Sequence, residues 1–441
     1  MSITARHCLS KIFQPITATS KNSKITRQQV TSKSQRLMLE LGIIQQSIPG
    51  CFHLLPLGVK SLDKLIKIID NEMFKIGGQK VLFPTLTNSK LWNESGRLKE
   101  VGTELFQLQD RHNHHYILSP THEEVASEML SILAPLSYRN FPLKLYQISS
   151  KFRDEIKPRF GLMRGREFIM KDMYSFDTDI ESAKKTYEEV CNSYENIFNT
   201  IGIGYAKVLG SSGSMGGSLS HEYQFKAPIG EDNVLYCSSC QYSANIEVCE
   251  DHQKCPNCGD EKNINIQCGI EVGHTFLLGD KYSKPLKSTF IAKDSKPEVL
   301  QMGSYGLGIS RILAASVEVL SSETEMRWPS VLAPYNVIIL PPKKGSAESL
   351  QTEGMPEKLY SNLEEKIPGL KNNILMDDRT SLTLGKRLLD AKRVGYQFTI
   401  IINKKSAEEN PLFELIDIKN NKQLYLSKEA LCDYIQQNFR I

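Results

Sequence analysis

Between Lys151 and Asp177 the chain reads KFRDEIKPRFGLMRGREFIMKDMYSFD, with charges of both signs set among Phe, Met and Tyr and no helical stripe. Residues two apart on a strand share a face. The spacing therefore puts Arg153 beside Glu155 on one strand, and Arg164, Arg166, Phe168, Met170 and Asp172 together on a returning one. A guanidinium is a planar fork that grips carboxylate or phosphate oxygens in pairs, and a phenyl ring can stack on a purine. Further on, Gly306-Leu307-Gly308-Ile309-Ser310-Arg311 lets backbone and ligand approach closely and then starts a helix with an Arg in its first turn. The chemistry these residues suit is the binding of something flat, anionic and partly aromatic. A solvated hairpin with ordinary cross-strand ion pairs is the alternative for any one of them.

Several elements must position these groups. SLDKLIKIIDNEMFKIGG has Leu62, Leu65, Ile66, Ile69, Met73 and Ile76 on one helical face, which predicts a helix over 61–76 closed by Gly77 and Gly78. QKVLFPTL reads as a strand broken by Pro84, suited to a sheet edge. HHYILSPTHEEVASEML predicts a strand that turns at Ser119-Pro120 into a helix, and IESAKKTYEEVCNSYENIFNTIGI a long amphipathic helix. Antiparallel strands with helices between them predict an α+β domain over 34–330. From 334 to 441 short buried-type strands alternate with helices, which predicts a separate α/β domain ending in a hairpin near Asn420-Asn421 and a helix.

Ten cysteines without a secretory signal do not suggest a disulfide framework. Four fall into Cys237-Ser-Ser-Cys240 and Cys255-Pro-Asn-Cys258, separated by 14 residues, inside an expected 231–268 module of zinc-ribbon type. Two such knuckles can wrap a tetrahedral Zn²⁺ in four thiolates; four thiols without metal are the other reading.

The first Asp or Glu is Glu40, while Arg6, Lys11, Lys21, Lys24, Arg27, Lys33 and Arg36 precede it among many Ser and Thr residues. A basic, acid-free, hydroxyl-rich leader predicts an organelle transit peptide over 1–33, or else a basic tail that binds nucleic acid. Without those seven cations the formal net charge of +4 becomes −3, so any nucleic-acid surface has to be a local patch. No apolar run approaches the roughly 18 residues that span a bilayer, and no membrane partner is expected.

FRDE followed by Arg164-x-x-x-Phe168 resembles motif 2 of the class II aminoacyl-tRNA synthetases, GSYGLGISR resembles their motif 3, and the helix before FPTL their motif 1. SPTHEEV, GGSLSHEYQF, GIEVGHTFLLG and the C-terminal LAPYNVIILPPKKG and DDRTSLTLGKRLLDA narrow this to a resemblance to prolyl-tRNA synthetases of the bacterial and mitochondrial type, from about Ser34 onward. The leader then points to the mitochondrial matrix.

That resemblance implies the joining of L-proline to ATP, with Mg²⁺, and transfer of proline to the 3′ end of tRNA(Pro), by a homodimer that meets through helix 61–76 and the Pro84 strand. Arg153 would bridge the proline carboxylate and the α-phosphate. Arg164 and Arg311 would hold the outer phosphates, and Glu155 the nucleotide or Mg²⁺. Phe168 would stack on adenine, with Gly306 and Gly308 beneath the ligand. Thr121 and Glu123 would face the proline ammonium, and Glu271, His274 and His221 would line the pocket. In the tail domain Asp378, Arg379, Lys386 and Arg387, with Asp390 among them, would read the guanines of the anticodon.

One departure stands out. Bacterial members carry a domain-sized editing insertion between motifs 2 and 3, whereas here Gln224 to Ile270 holds only the cysteine module. Two other functions are weighed: an accessory RNA-binding protein of synthetase shape that activates no amino acid, and a sister class II enzyme for threonine, serine or glycine. The first has no need of Arg153, Glu155, Arg164 and Arg311 together.

Overall fold

The computed structural model describes residues 6–16, 30–133 and 135–439. They form two compact units, one of Gln46–Phe52 with Leu65–Ala315, the other of the described residues of 1–45, with His53–Lys64 and Ser316–Ile441. Residues 1–5 and 17–29 of the expected transit segment lie outside the described residues.

The first unit is built on nine strands: β1 (Gln79–Lys80), β2 (Leu143–Phe152), β3 (Glu167–Asp177), β4 (Tyr205–Leu209), β5 (Leu219–Lys226), β6 (Asp232–Cys237), β7 (Ser243–Asn245), β8 (Ile264–Gly279) and β9 (Gln301–Gly308). Their order across the sheet is β5-β4-β7-β6-β8-β9-β3-β2-β1, with β5 also paired to β8. The four strands β8, β9, β3 and β2 run antiparallel, with one irregularity in the β8–β9 ladder between Leu277 and Gly279. β1 is two residues long and closes one edge in parallel with β2, the edge position that Pro84 just beyond it predicts.

Helix α1 (Glu123–Ile132) follows the Ser119-Pro120 turn, α2 (Ile180–Ile201) packs under the sheet, and α3 (Ile309–Leu320) continues from β9. Asp179 caps α2 by accepting from the Ser182 amide, and Gly202 in the left-handed region ends it. The helix expected at 61–76 begins earlier, at Pro56, because proline has no amide to lose at the first helical position. A core that includes Trp92, Ile117, Tyr174, Phe176 and Leu300 lies between α1 and the sheet.

In the second unit five strands, β10 (Val337–Leu340), β11 (Ile374–Met376), β12 (Phe398–Ile401), β13 (Phe413–Asp417) and β14 (Lys422–Leu426), line up as β11-β10-β12-β13-β14. The first three are parallel and the last two form the expected hairpin, so the sheet is mixed. Helix α4 (Leu384–Val394) ends at Gly395, whose φ of +83° leaves the chain against the Met326 carbonyl. Residues 34–45, 53–64 and 316–330, expected with the catalytic domain, pack in this unit: the Ser34 amide donates to Glu318 at 2.6 Å, and Arg393 pairs with Glu40 at 3.0 Å.

Candidate active site

The strand expected to carry Arg153 and Glu155 stops at Phe152, and the return strand starts only at Glu167. Between them Pro158 has no amide to donate, and the chain turns through Gly161–Met163. Arg153 still donates its amide to the Arg166 carbonyl at 2.9 Å. Its guanidinium therefore sits 5.1 Å over the Phe168 ring, a cation–π pair that fixes both groups.

Arg153 and Arg311 border a cavity of about 280 Å³ together with Phe168 and Glu271, and both also border the adjoining spaces lined by Glu155 and Arg164. Arg153 and Arg311 thus line all three spaces, whereas Arg164 lines only the two that adjoin the cavity. Arg311 donates its Nε to the Met163 carbonyl at 2.8 Å, and its NH1 reaches both the carbonyl of Glu271, at 2.9 Å, and its carboxylate, at 3.3 Å. Arg164 donates to Glu155 at 3.0 Å and to Glu231 at 2.5 Å. Burial and the neighbouring Arg311 charge pull the Arg153 guanidinium below its ordinary pKa range. An anion there relieves that repulsion.

Glu271 and His274 are three apart and would point to opposite faces of a regular strand. Between β5 and β8 the register slips: Tyr223 faces Gly273 but Gln224 faces Glu271, which leaves Val272 as the extra residue of a bulge. The slip turns both side chains into the cavity, with His274 Nδ1 2.8 Å from Glu271 and Nε2 2.5 Å from the Ser220 hydroxyl. Burial alone would raise the Glu271 carboxyl; the His274 hydrogen bond and the charges of Arg311 and Arg153 outweigh it and bring it down to about 2. Gly306 forms part of the floor, where an added Cβ would meet only Met170 Sδ at 3.8 Å and a carbonyl at 4.0 Å.

At the other end Glu123 opens α1 with its side chain fully buried. Thr121 donates to it at 2.7 Å and Ser304 at 2.8 Å, and Arg97 approaches at 3.3 Å. Arg97 also meets Glu124 at 3.2 Å and packs over the Trp92 ring at 4.7 Å. Burial, opposed by Arg97 and assisted by the nearby Glu123, raises the Glu124 carboxyl. Asp172 follows on β3, paired with Lys151 at 2.7 Å and accepting from Tyr174 at 2.8 Å. The result is one end with the buried carboxylates Glu123, Glu124 and Asp172 and another with the half-buried guanidiniums Arg153, Arg164 and Arg311, an arrangement that suits a small cationic group joined to a polyanion.

Arg97, Asp172 and Ser304 enter the site without having been singled out as ligands. Arg97 sits in NESGRLKEVG, where neither period nor composition marks it. His221 is a correction. It neighbours Ser220 on β5 and so faces the opposite side of the sheet, in a second cavity beside α2, where Tyr187 lies 2.8 Å from its Nδ1. Burial there, with the Lys207 charge, pulls its pKa down to about 4.

In the second unit Arg379 holds Asp377 with two hydrogen bonds of 2.9 and 2.8 Å, and Lys386 meets Asp390 at 2.8 Å. Arg387, expected among the anticodon readers, is fully buried and donates to the Pro341 and Asp377 carbonyls at 2.7 and 3.3 Å, so it ties strand ends together. The four cysteines of the module converge, all four sulfurs lying within 4.8 Å of one another.

Residues 106–320 match the class II tRNA synthetase core domain (G, H, P, S and T), and residues 336–438 match an anticodon binding domain. The Rattus norvegicus protein named "Probable proline--tRNA ligase, mitochondrial" is 47% identical over 92% of this chain and 85% of its own. Its Homo sapiens namesake is 45% identical over 98% of this chain and 91% of its own. The chain belongs to the prolyl-tRNA synthetase family.

Among solved structures, prolyl-tRNA synthetase from Cryptosporidium parvum, complexed with halofuginone and AMPPNP, superposes with a TM-score of 0.74 over 92% of this chain and 76% of that one, at 17% identity. The Giardia lamblia prolyl-tRNA synthetase in complex with prolyl-adenylate gives 0.75 over 91% and 76%. At that identity the likeness establishes the class II synthetase fold, with the antiparallel-rich sheet of this family of ligases and its anticodon-binding domain.

Proposed function

We propose that this chain is a mitochondrial proline–tRNA ligase that joins L-proline to ATP, releases pyrophosphate, and passes the prolyl group to the 3′ end of tRNA(Pro). The observation that carries the reading is the cavity bordered by Arg153 and Arg311 at one end and the buried Glu123 at the other, with Arg164 on the spaces that adjoin it. Proline's secondary ammonium meets Glu123 and Thr121, and its carboxylate faces Arg153. Attack of that carboxylate on the α-phosphate builds negative charge beside Arg153, and cations already in place stabilise it without reorganising. Arg164 and Arg311 take the outgoing phosphates, and adenine stacks on Phe168. No covalent enzyme intermediate is needed; positioning and charge do the work.

Glu155 and Glu271 offer the oxygen donors a hard cation needs, so they are the residues to hold Mg²⁺. An ion bound there would neutralise phosphate charge. The cysteine module suits Zn²⁺: Cys237 and Cys258 sulfurs are 3.7 Å apart, and those of Cys240 and Cys255 3.6 Å. Four thiolates at the usual Zn–S bond of about 2.3 Å stand about 3.8 Å apart, far from disulfide contact. The site would be structural, and protein purified without chelator should carry about one zinc per chain.

Homodimerisation is supported by exposed apolar side chains near the end of helix Pro56–Lys75, with Phe74 81% and Leu82 78% accessible. Localisation in the matrix is supported by the basic leader together with the mitochondrial names of the relatives.

Proline-dependent pyrophosphate exchange tests the proposal. Exchange with proline and with no other amino acid supports it; a folded preparation without exchange favours an accessory RNA-binding role, and exchange driven by threonine, serine or glycine a sister enzyme.

A further inference from the structure

The leader, expected to be cut away through residue 33, contains the described segment 6–16, and that segment is built into the second unit. Strand β11 is the edge of the five-stranded sheet. Its outward side is covered by residues 7 and 8: Cys8 bridges Met376 in parallel, and the Met376 amide donates to the His7 carbonyl at 2.9 Å. An open strand edge is a liability that proteins cover, and here the leader covers it.

Around that pairing His7 is held on three sides. Its amide donates to the Tyr360 hydroxyl at 3.3 Å, which in turn donates to the Ile374 carbonyl at 3.2 Å, and its ring lies 3.2 Å from the Tyr335 hydroxyl. Leu9 is buried and Cys8 packs against the core of the unit. Gln14 anchors the far end by donating to the Leu41 carbonyl at 2.9 Å. There Gly42, at φ +66°, has no room for a Cβ against Pro15, whose carbonyl would be 2.9 Å away.

The segment then reaches a functional residue. Ser10 donates its amide to one Asp378 oxygen at 2.8 Å and its hydroxyl to the other at 2.5 Å. Each carboxylate oxygen retains a lone pair after accepting one hydrogen bond, so the clamp orients Asp378 without using up its acceptors. Asp377, next to it, is fixed by Arg379 in the same two-pronged manner.

We propose that residues 7–14 are a strap that belongs to the working tRNA-binding unit, that Ser10 is a positioning residue presenting Asp378 to the anticodon loop, and that the mature chain keeps this segment. The inference rests on the reading of Asp378 as an anticodon contact. Removal of the leader through residue 33 would bare the β11 edge and release the carboxylate together.

The test separates the two halves of the enzyme's work, since pyrophosphate exchange needs no tRNA. Ser10→Ala should raise the KM for tRNA(Pro) in aminoacylation about three- to tenfold and leave proline-dependent exchange unchanged, and adding Asp378→Asn to it should cost little more than Asp378→Asn alone. A tRNA KM unmoved by Ser10→Ala, where Asp378→Asn does move it, overturns the positioning role. If Asp378→Asn itself has no effect, the anticodon reading of that residue fails and the positioning role with it. N-terminal sequencing of the endogenous mature chain reads retention separately: a first residue at or before His7 supports the strap, and one beyond His7 overturns it.

Discussion

Arg311 holds Glu271 at two oxygens, its NH1 donating to the backbone carbonyl at 2.9 Å and standing 3.3 Å from the carboxylate. A cation on α3 is thereby locked to an anion on β8, and Glu271 passes the constraint on to His274. Glu271→Gln weakens both contacts while keeping the shape. Hydrogen bonds to charged groups contribute about 1.5–3 kcal/mol, so pyrophosphate exchange should fall about 10- to 100-fold, and the Tm should fall as well, because the depressed carboxyl also stabilises the fold at neutral pH.

Arg97 is in contact with two fully buried carboxylates, Glu123 and Glu124. Arg97→Met leaves both without it, a loss of about 3–5 kcal/mol for a broken buried pair. Glu124, whose pKa burial already raises, can take up a proton and soften the loss toward the lower figure. The variant should melt at a lower temperature, and Glu124→Gln in the same chain should restore part of the Tm. A KM for proline that stays high in that double variant would mark Arg97 as the group that also orients Glu123.

Glu222 gives stability a pH dependence. Burial, then the charge of Glu271, lifts its carboxyl to about 7, against an ordinary value of 4.5. The folded state holds the proton more tightly than the unfolded chain does, so the stabilisation is complete below about 4.5 and is lost as pH rises through 7. Relative to Glu222→Gln, which cannot titrate, the wild-type Tm should fall across that window. Parallel Tm curves would contradict the assignment.

No domain-sized editing insertion interrupts the catalytic unit between β5 and β8, where only the cysteine module intervenes. Alanine differs from proline by methylenes, which a pocket can reject by only about 1–3 kcal/mol, or 10- to 200-fold. The pure protein should therefore form alanyl-tRNA(Pro) slowly and not hydrolyse it. Rapid deacylation of preformed alanyl-tRNA would contradict this.

Much of the site was legible in the sequence because its parts obey local rules. The Arg153, Phe168 and Arg311 segments could be read from residue type and order alone, as could the Thr121 and Glu123 pair at a helix start. The errors came where position depends on what the sheet does. His221 was misplaced because strand alternation, once Ser220 is fixed by His274, turns it to the α2 side. Glu271 and His274 share a cavity only through a bulge at Val272, which no periodicity announces. Arg387 looked like an exposed reader of bases, yet backbone carbonyls of two strand ends claim its guanidinium. The leader was read from composition, which does not reveal that its backbone pairs with a strand more than 350 residues away.

The most direct test of the shared triphosphate cradle is proline-dependent pyrophosphate exchange by the wild type and by Arg153→Ala. Loss of one preorganised donor at the reacting centre costs about 2.7–4 kcal/mol, so the variant should exchange about 100- to 1,000-fold more slowly while melting near the wild-type temperature. Exchange within twofold of wild type would mean that Arg153 does not face the α-phosphate, and the account of the cavity would be wrong.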